Sequence, residues 1–303
     1  MHKRPFYIIA GFFMIMYIAF LICFLNVFLS TAGATDLVDQ STADTLFLKS
    51  IPERPPGAIT GTQFASETMR MTGTERQMRA LDEILHGNVP DFLRKLKPVH
   101  LSYRQPNGKM ITALIWVAPD YLAIGSDEDF LRIPLSYPSA AVAVHAFDCV
   151  LPTRKMVDAV YEQATCHLTP APLPAGPQMR SSGYYLKHRK IILAQRIEVG
   201  CVLGEIVSGH KKDIVLTNRL NEKPGRLAIY GWHRKIYDPI QPLSTVHGDS
   251  YADYSHGVRL IYKTVWIDGN PQSILDVLQD PQLAPVLTHE GFIKRLITML
   301  RLK

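Results

Sequence analysis

Cysteine is scarce in this sequence, charge is modest, and several well-known catalytic motifs are missing. Only 4 of the 303 residues are Cys, too few for a disulfide framework to replace a hydrophobic core. Hydrophobic residues make up 47% and charged residues 20%, a composition that excludes a disordered chain. The chain lacks GxGxxG after a strand, GxxxxGK(S/T), GxSxG and HExxH. Dinucleotide enzymes, P-loop NTPases, α/β-hydrolases and zincins are therefore disfavoured.

Basic residues exceed acidic residues only moderately, 33 against 27, for a net charge of +6. No stripe of basic residues interleaved with aromatic residues accompanies this excess, so we expect no nucleic-acid partner. The balance suits a solvated domain near an anionic envelope.

The beginning of the chain is apolar. Residues 6–29 form a run of 24 residues without a charge, and Lys3 and Arg4 precede it. As a helix this run would be about 36 Å long, enough to cross a hydrocarbon core of about 30 Å. The basic flank predicts that the body is exported, with residues 6–29 in a bacterial inner membrane. We therefore expect residues 1–34 to be a signal anchor, or a signal peptide cleaved after Ala34 that leaves a secreted or periplasmic protein.

Composition and periodicity divide the remainder into two parts. Residues 35–73 are rich in Thr, Ser, Gly and Pro, which predicts a flexible stalk, and residues 74–303 are expected to form one exported globular domain. Asn107-Gly108 between two alternating runs predicts a hairpin, and apolar runs between residues 189 and 268 predict further strands. The predicted fold class is α+β, a largely antiparallel sheet with flanking helices.

The cysteines outside the apolar run are odd in number: Cys149, Cys166 and Cys201. At most one disulfide can form among three, so one thiol stays free or pairs elsewhere. Cys149 lies where an apolar run gives way to a predicted helix, which begins at Asp148 or at Thr153. A thiol at a helix amino terminus has its thiolate stabilised by unpaired N–H groups.

Four of the eleven histidines fall within 47 residues, at the ends of predicted strands: His210, His233, His247 and His256. Loops at strand ends are where a scaffold commonly holds functional side chains. One interpretation combines Cys149 with His256, which precedes the strand GVRLIYK, and Asp268, at the end of that strand. Cys149 would attack a carbonyl, His256 would take its proton, and Asp268 or Asp253 would orient the imidazole.

Residues 148–268 resemble the papain-like NlpC/P60 cell-wall peptidases in this order of nucleophile, histidine and polar residue. The resemblance implies a cysteine hydrolase that acts on an amide of a cell-envelope component. Asp148-Cys149 matches, but Val150-Leu151 replaces the small Ser-Gly pair common in that family, and Pro152 would remove an early helical hydrogen bond. If Thr153 caps the helix, Cys149 lies outside it.

Two other interpretations remain open. His210 with Asp213, and His247 with Asp253 or His256, are residue types that zinc accepts as ligands, so a metal-dependent hydrolase is the alternative to a cofactor-free site. A non-catalytic glycan- or peptide-binding cleft is the other. Its aromatic and polar lining would come from Trp232, His233, Tyr251, Tyr254 and Asp253.

The strings GNVPDFLRKLKPV, GHKKDIVLTNRL and YADYSHGVRL also look like a group of exported bacterial proteins that carries no assigned activity. This likeness spans most of the body and implies location and a shared fold. The sequence thus predicts a membrane-anchored or exported envelope protein, with an envelope peptide or glycan as its ligand.

Overall fold

The longest strand pair is the hairpin that Asn107 and Gly108 predict. Strand β1 (Lys97–Arg104) pairs antiparallel with β2 (Met110–Val117), from Lys97 opposite Val117 to Arg104 opposite Met110. Gly108 adopts a φ of 87°, which a residue without Cβ tolerates in a tight turn. The computed structural model describes residues 50–300, and β2 is the central strand of the larger sheet.

The described chain is a mixed α+β fold with mostly antiparallel sheets and flanking helices, as predicted. The remaining strands are β3 (Ala123–Gly125), β4 (Phe130–Arg132), β5 (Cys149–Val150), β6 (Cys166–His167), β7 (Val207–Ser208), β8 (Lys212–Ile214), β9 (Ile229–Lys235), β10 (Asp238–Ser244), β11 (His256–Gly257), β12 (Ile261–Tyr262), β13 (Thr264–Ile267) and β14 (Asn270–Ser273). The helices are α1 (Gly61–Glu67), α2 (Gly73–Leu85), α3 (Tyr137–Ala146), α4 (Arg154–Gln163), α5 (Ser182–Val199), α6 (Ile274–Gln279), α7 (Ala284–Leu287) and α8 (Leu296–Met299).

Two sheets organise the domain. The first has the order β14-β13-β2-β12-β5, with β1 on the other edge of β2, and all its pairs are antiparallel. The second has the order β10-β9-β8-β11, in which only β8 and β11 run parallel. Helix α4 contacts both β1 and β9 and therefore packs against both sheets.

The start of the described chain corrects the predicted stalk. Residues 50–73 belong to the folded unit: Ile51 and Phe64 are buried, and Thr60 caps helix α1 through a capping box with Gln63. Composition suggested a linker because Pro and Gly are frequent there. The few apolar side chains are nevertheless enough to hold the segment on the domain. Residues 35–49 of that prediction lie outside the described residues.

Helix α5 corrects a second prediction. The run KIILAQRIEV was expected to form a strand, yet residues 182–199 are helical, with Ser181 as N-cap and Gly200 in the left-handed conformation as C-cap. The predicted signal anchor or peptide, residues 1–34, lies outside the described part of the chain. Between residues 50 and 300, no helix is both long and apolar enough to cross a membrane.

Candidate functional site

Cys149, the predicted nucleophile, lies in a strand and not at a helix start. It belongs to β5, opposite Tyr262 of β12, and Thr153 caps helix α4 by accepting a hydrogen bond from the N–H of Met156. The thiol is buried and unbonded to another cysteine. Burial, reinforced by the charge of Asp148, raises the pKa of Cys149 well above its ordinary value. The thiol is therefore protonated at neutral pH, which does not suit a nucleophile.

The other two members of the predicted triad have separate partners. Neither ring nitrogen of His256 has a hydrogen-bond partner among the described residues, so Cys149 and Asp268 do not hydrogen-bond to it. Asp268 lies in the turn between β13 and β14, where its Oδ1 accepts hydrogen bonds from Thr112 N at 2.8 Å and Thr112 Oγ1 at 3.1 Å. The structure therefore does not join these three residues by hydrogen bonds.

His256 instead contacts Asp253, the alternative orienting residue of the sequence hypothesis. His256 Nε2 lies 3.9 Å from Asp253 Oδ2, and that oxygen accepts a hydrogen bond from the Tyr251 hydroxyl at 3.0 Å. Asp253 Oδ1 accepts from Ser255 N at 2.8 Å and Ser255 Oγ at 2.6 Å. Burial works to raise the pKa of Asp253, but the charge of His256 and the Ser255 hydrogen bonds outweigh it and hold that pKa below its ordinary value.

His247 is half-exposed, as is Tyr251 in the same group. Its ring stacks on Tyr251 with centroids 4.2 Å apart and planes 8° apart, and it lies 6.0 Å from the His256 ring. Burial lowers the pKa of His247, and the nearby charges of Lys212 and Arg226 lower it further against the opposing effect of Asp253. His247 is therefore neutral at pH 7 and can accept a proton. We call His247, Tyr251, Asp253 and His256 the loop site.

Cations surround the loop site. The Arg180 guanidinium lies over the Tyr251 ring at 5.5 Å, and the Lys212 ammonium lies over the Trp232 ring at 4.6 Å. Lys211, the neighbour of Lys212, is buried and donates a hydrogen bond to the Tyr254 carbonyl. Burial, with the charge of Arg132, lowers the pKa of Lys211 to about 7. Two cations, Arg180 over Tyr251 and Lys212 through its charge, therefore act on the group that holds the neutral imidazole of His247.

Most of the residues predicted to line a binding cleft are inside the protein. Trp232, His233, Tyr254 and Asp253 are no more than 6% exposed, and only Tyr251 is half-exposed. Trp232 has a φ of 59° and donates its backbone N–H to Lys211 O at 2.9 Å, which turns the indole onto strand β8. Of the residues predicted to line an aromatic cleft, only Tyr251 is therefore accessible to a ligand, because the strand-end loops fold inward.

The three predicted metal ligands are divided among different neighbours. His210 Nε2 lies 3.4 Å from Asp120 Oδ1, whereas Asp213 Oδ2 accepts the Tyr121 hydroxyl at 2.8 Å. His247 belongs to the loop site. Within residues 50–300, no group of three or more His, Cys, Asp or Glu side chains is placed to hold a metal ion.

The structure also contains a buried ion network that the sequence interpretation did not predict. Asp120 accepts a hydrogen bond from Arg132 Nε at 2.9 Å and lies 3.4 Å from Arg196, and all three are buried. Burial opposes ionisation of Asp120, but Arg132 outweighs it and holds the pKa of Asp120 well below its ordinary value. We call this group, with Tyr121, His210, Asp213 and Arg259, the interior network. The available signal was a charged residue inside an apolar run, as in APDYLAIG and GVRLIY.

Comparison of the chain with protein-family models, curated proteins and solved structures finds no match in any of the three. The chemistry must therefore be argued from the geometry alone.

Proposed function

We propose that this is an exported envelope protein and that its domain hydrolyses an amide of an anionic envelope component such as a peptidoglycan peptide. The observation that carries the proposal is the neutral, half-exposed His247, stacked on Tyr251, whose hydroxyl donates to Asp253. In the reaction, the oxygen of a water molecule attacks the carbonyl carbon while His247 accepts the water proton. The amine then departs with a proton returned by His247.

The buried residues behind His247 act as its support. Asp253 fixes the Tyr251 hydroxyl, and the stacked Tyr251 ring fixes the plane of the imidazole. Arg180 lies over the Tyr251 ring, and the charge of Lys212 acts on His247. This positive charge favours a carboxylate-bearing substrate and the oxyanion formed on attack. This version of the hydrolase hypothesis does not use Cys149.

Two features support export. Cys166 and Cys201 form a disulfide with their Cα atoms 5.6 Å apart, and disulfides persist in oxidising compartments. The uncharged run of residues 6–29 after Lys3 and Arg4 is typical of an export signal or anchor. A reporter phosphatase fused after residue 303 tests this: activity in intact cells supports export, and an inactive fusion made in full amount contradicts it.

A non-catalytic peptide- or glycan-binding protein is the second candidate. It is favoured by the burial of His256 and Asp253 and by the protonated, buried thiol, which leave the loop site without a side-chain nucleophile. In that case Tyr251 and Arg180 would bind the ligand without turning it over.

One assay separates the two candidates. The full chain in detergent micelles is incubated with purified muropeptides, and the products are measured by mass spectrometry. We expect His247→Gln to abolish cleavage and His145→Gln, at an exposed histidine of α3, to retain it. Cleavage that survives His247→Gln overturns the proposed mechanism. Saturable binding without product in the unaltered chain favours the second candidate.

A further inference from the structure

A cationic cavity of about 550 Å³ lies beside the loop site. Its walls come from residues 220–226, which precede β9, and from residues 295–299, in and next to helix α8. Lys223, Arg226 and Arg295 line it together with Asn221 and Tyr137. Among its described lining residues three are cationic and none is acidic.

The three cations are not neutralised elsewhere in the described part of the chain. Between residues 50 and 300, no ion pair joins Lys223, Arg226 or Arg295 to an acidic side chain. Like charges gathered in a concave surface repel one another and raise the local concentration of anions. An oxyanion in the cavity would relieve that repulsion and accept charge-assisted hydrogen bonds.

Hydrogen bonds connect the two walls of the cavity to each other. The Asn221 side chain donates to Lys294 O at 3.0 Å, and the Lys294 N–H donates to Asn218 Oδ1 at 2.8 Å. On the third side, the Tyr137 hydroxyl donates to Met299 O at 2.8 Å. These contacts hold the cavity without using the side chains of Lys223 and Arg295, which leaves those two cations available to a ligand.

The cavity is also tied to the segment that carries His247. Arg226 donates to Val246 O at 2.6 Å, and Leu227 N donates to His247 O at 3.3 Å. The positive charge of Arg226 is one reason that the pKa of His247 is lowered. A ligand bound to Arg226 would therefore lie next to the loop site.

We propose that this cavity binds the oxyanion head group of the envelope ligand, a phosphate or a carboxylate, and so positions the rest of the ligand at His247. Lys223 and Arg295 supply the free positive charge, while Arg226 joins the head group to the His247 segment. The cavity is an anion site in its own right, and only its coupling to His247 rests on the proposed function.

Calorimetric titration of the full chain in detergent tests the anion site. Inorganic phosphate is one probe and a muropeptide with free carboxylates is the other, so the two arms identify the source of the oxyanion. We expect the double variant Lys223→Gln/Arg295→Gln to lose about tenfold or more in affinity for at least one probe. The matched control Lys235→Gln, an exposed lysine at the end of β9, should bind as the unaltered chain does. Thermal unfolding of each variant confirms that it is folded.

The results separate this proposal from the proposed function. Loss of affinity in the double variant, with affinity retained in His247→Gln, supports the anion site whether or not cleavage is seen. Arg295→Lys, which keeps the charge, should restore part of the affinity when it replaces Arg295→Gln in the double variant. The proposal is overturned if neither probe binds the unaltered chain, or if the double variant binds both as tightly as Lys235→Gln does.

Discussion

Two polar regions meet at strand β8, and neighbouring residues of that strand belong to each. Asp213 contacts Tyr121 in the interior network, and Lys212 lies over Trp232 beside the loop site. Alternation along a strand directs successive side chains to opposite faces, so one short segment serves both regions. The two regions use the same residue types, yet only the loop site has half-exposed members, His247 and Tyr251.

The difference between them lies in how charge is balanced. In the interior network Asp120 is paired with Arg132 and Arg196 and has no access to solvent, so its charges hold the fold. In the loop site the histidines are neutral at pH 7, and Arg180 and Lys212 act on the site together with one carboxylate, Asp253. Closed ion pairs stabilise a conformation, whereas unbalanced cations around a neutral imidazole favour binding of an anion.

The largest expected effect comes from breaking the interior network. Asp120→Asn leaves Arg132 and Arg196 buried without their carboxylate, which should lower the free energy of unfolding by about 3–5 kcal/mol. Urea denaturation followed by circular dichroism measures this. Asp82→Asn, at an exposed carboxylate of α2, should change it by less than about 0.5 kcal/mol. Equal stability of the two variants would mean that the network does not hold the fold.

A second prediction concerns pH. Burial lowers the pKa of His210 from 6.5 to about 3, so the folded protein keeps this histidine neutral while the unfolded chain takes up a proton below pH 6.5. Its contribution to stability is therefore present above pH 6.5 and lost as pH falls towards 3. Between pH 6.5 and 5 the loss is about 2 kcal/mol.

The variant His210→Gln removes this linkage. The stability difference between the unaltered chain and His210→Gln should shrink as pH falls from 6.5 to 5, as measured by urea denaturation at each pH. Asp213, whose pKa burial raises to about 6, acts in the opposite sense but is present in both proteins. His86→Gln, at an exposed histidine, should show no such change with pH. A constant difference for His210→Gln would contradict the prediction.

The third prediction compares two matched tyrosines. Tyr121→Phe removes the only hydrogen bond to the Asp213 carboxylate, whose Oδ1 has no hydrogen-bond partner among the described residues. Tyr251→Phe removes one of three hydrogen bonds to Asp253. We expect losses of about 1–3 kcal/mol for Tyr121→Phe and about 1 kcal/mol or less for Tyr251→Phe by urea denaturation. A larger loss of stability for Tyr251→Phe than for Tyr121→Phe would mean that the fold depends more on the Asp253 hydrogen bond than on the Asp213 hydrogen bond.

Local signals predicted part of the fold, and their limits have physical causes. Asn107-Gly108 predicted the hairpin because a tight turn needs positive φ, and the odd number of cysteines predicted one free thiol. Helix α5 is not evident from the sequence pattern because its buried stripe includes His188 and Arg196, so its apolar residues alone do not repeat at helical spacing. Burial of polar side chains is decided by long-range packing and not by local pattern.

The candidate site was predicted in part for the same reason. His210, His247 and His256 lie at or next to strand ends, whereas His233 lies inside β9. His256 Nε2 lies 3.9 Å from Asp253 Oδ2, one of its two expected partners. Arg180, which lies over the Tyr251 ring, is 71 residues from Tyr251 in the chain, and Asp120 of the interior network is 131 residues from it. No local sequence pattern connects residues so far apart. Only the pairing of distant strands shows which charged groups face one another.

The smallest effect is expected at Cys149, a residue of neither region. The thiol is buried and protonated, so Cys149→Ala should lower stability by about 1 kcal/mol through lost packing and should leave muropeptide cleavage unchanged. Iodoacetamide should label Cys149 slowly in the folded chain and rapidly in urea, since alkylation requires an accessible thiolate. Rapid labelling of the folded chain, together with loss of cleavage in Cys149→Ala, would move the chemistry from His247 to the thiol. If labelling is slow and cleavage persists, the loop site is left as the place where the two polar regions differ in function, because its histidine is the one that solvent reaches.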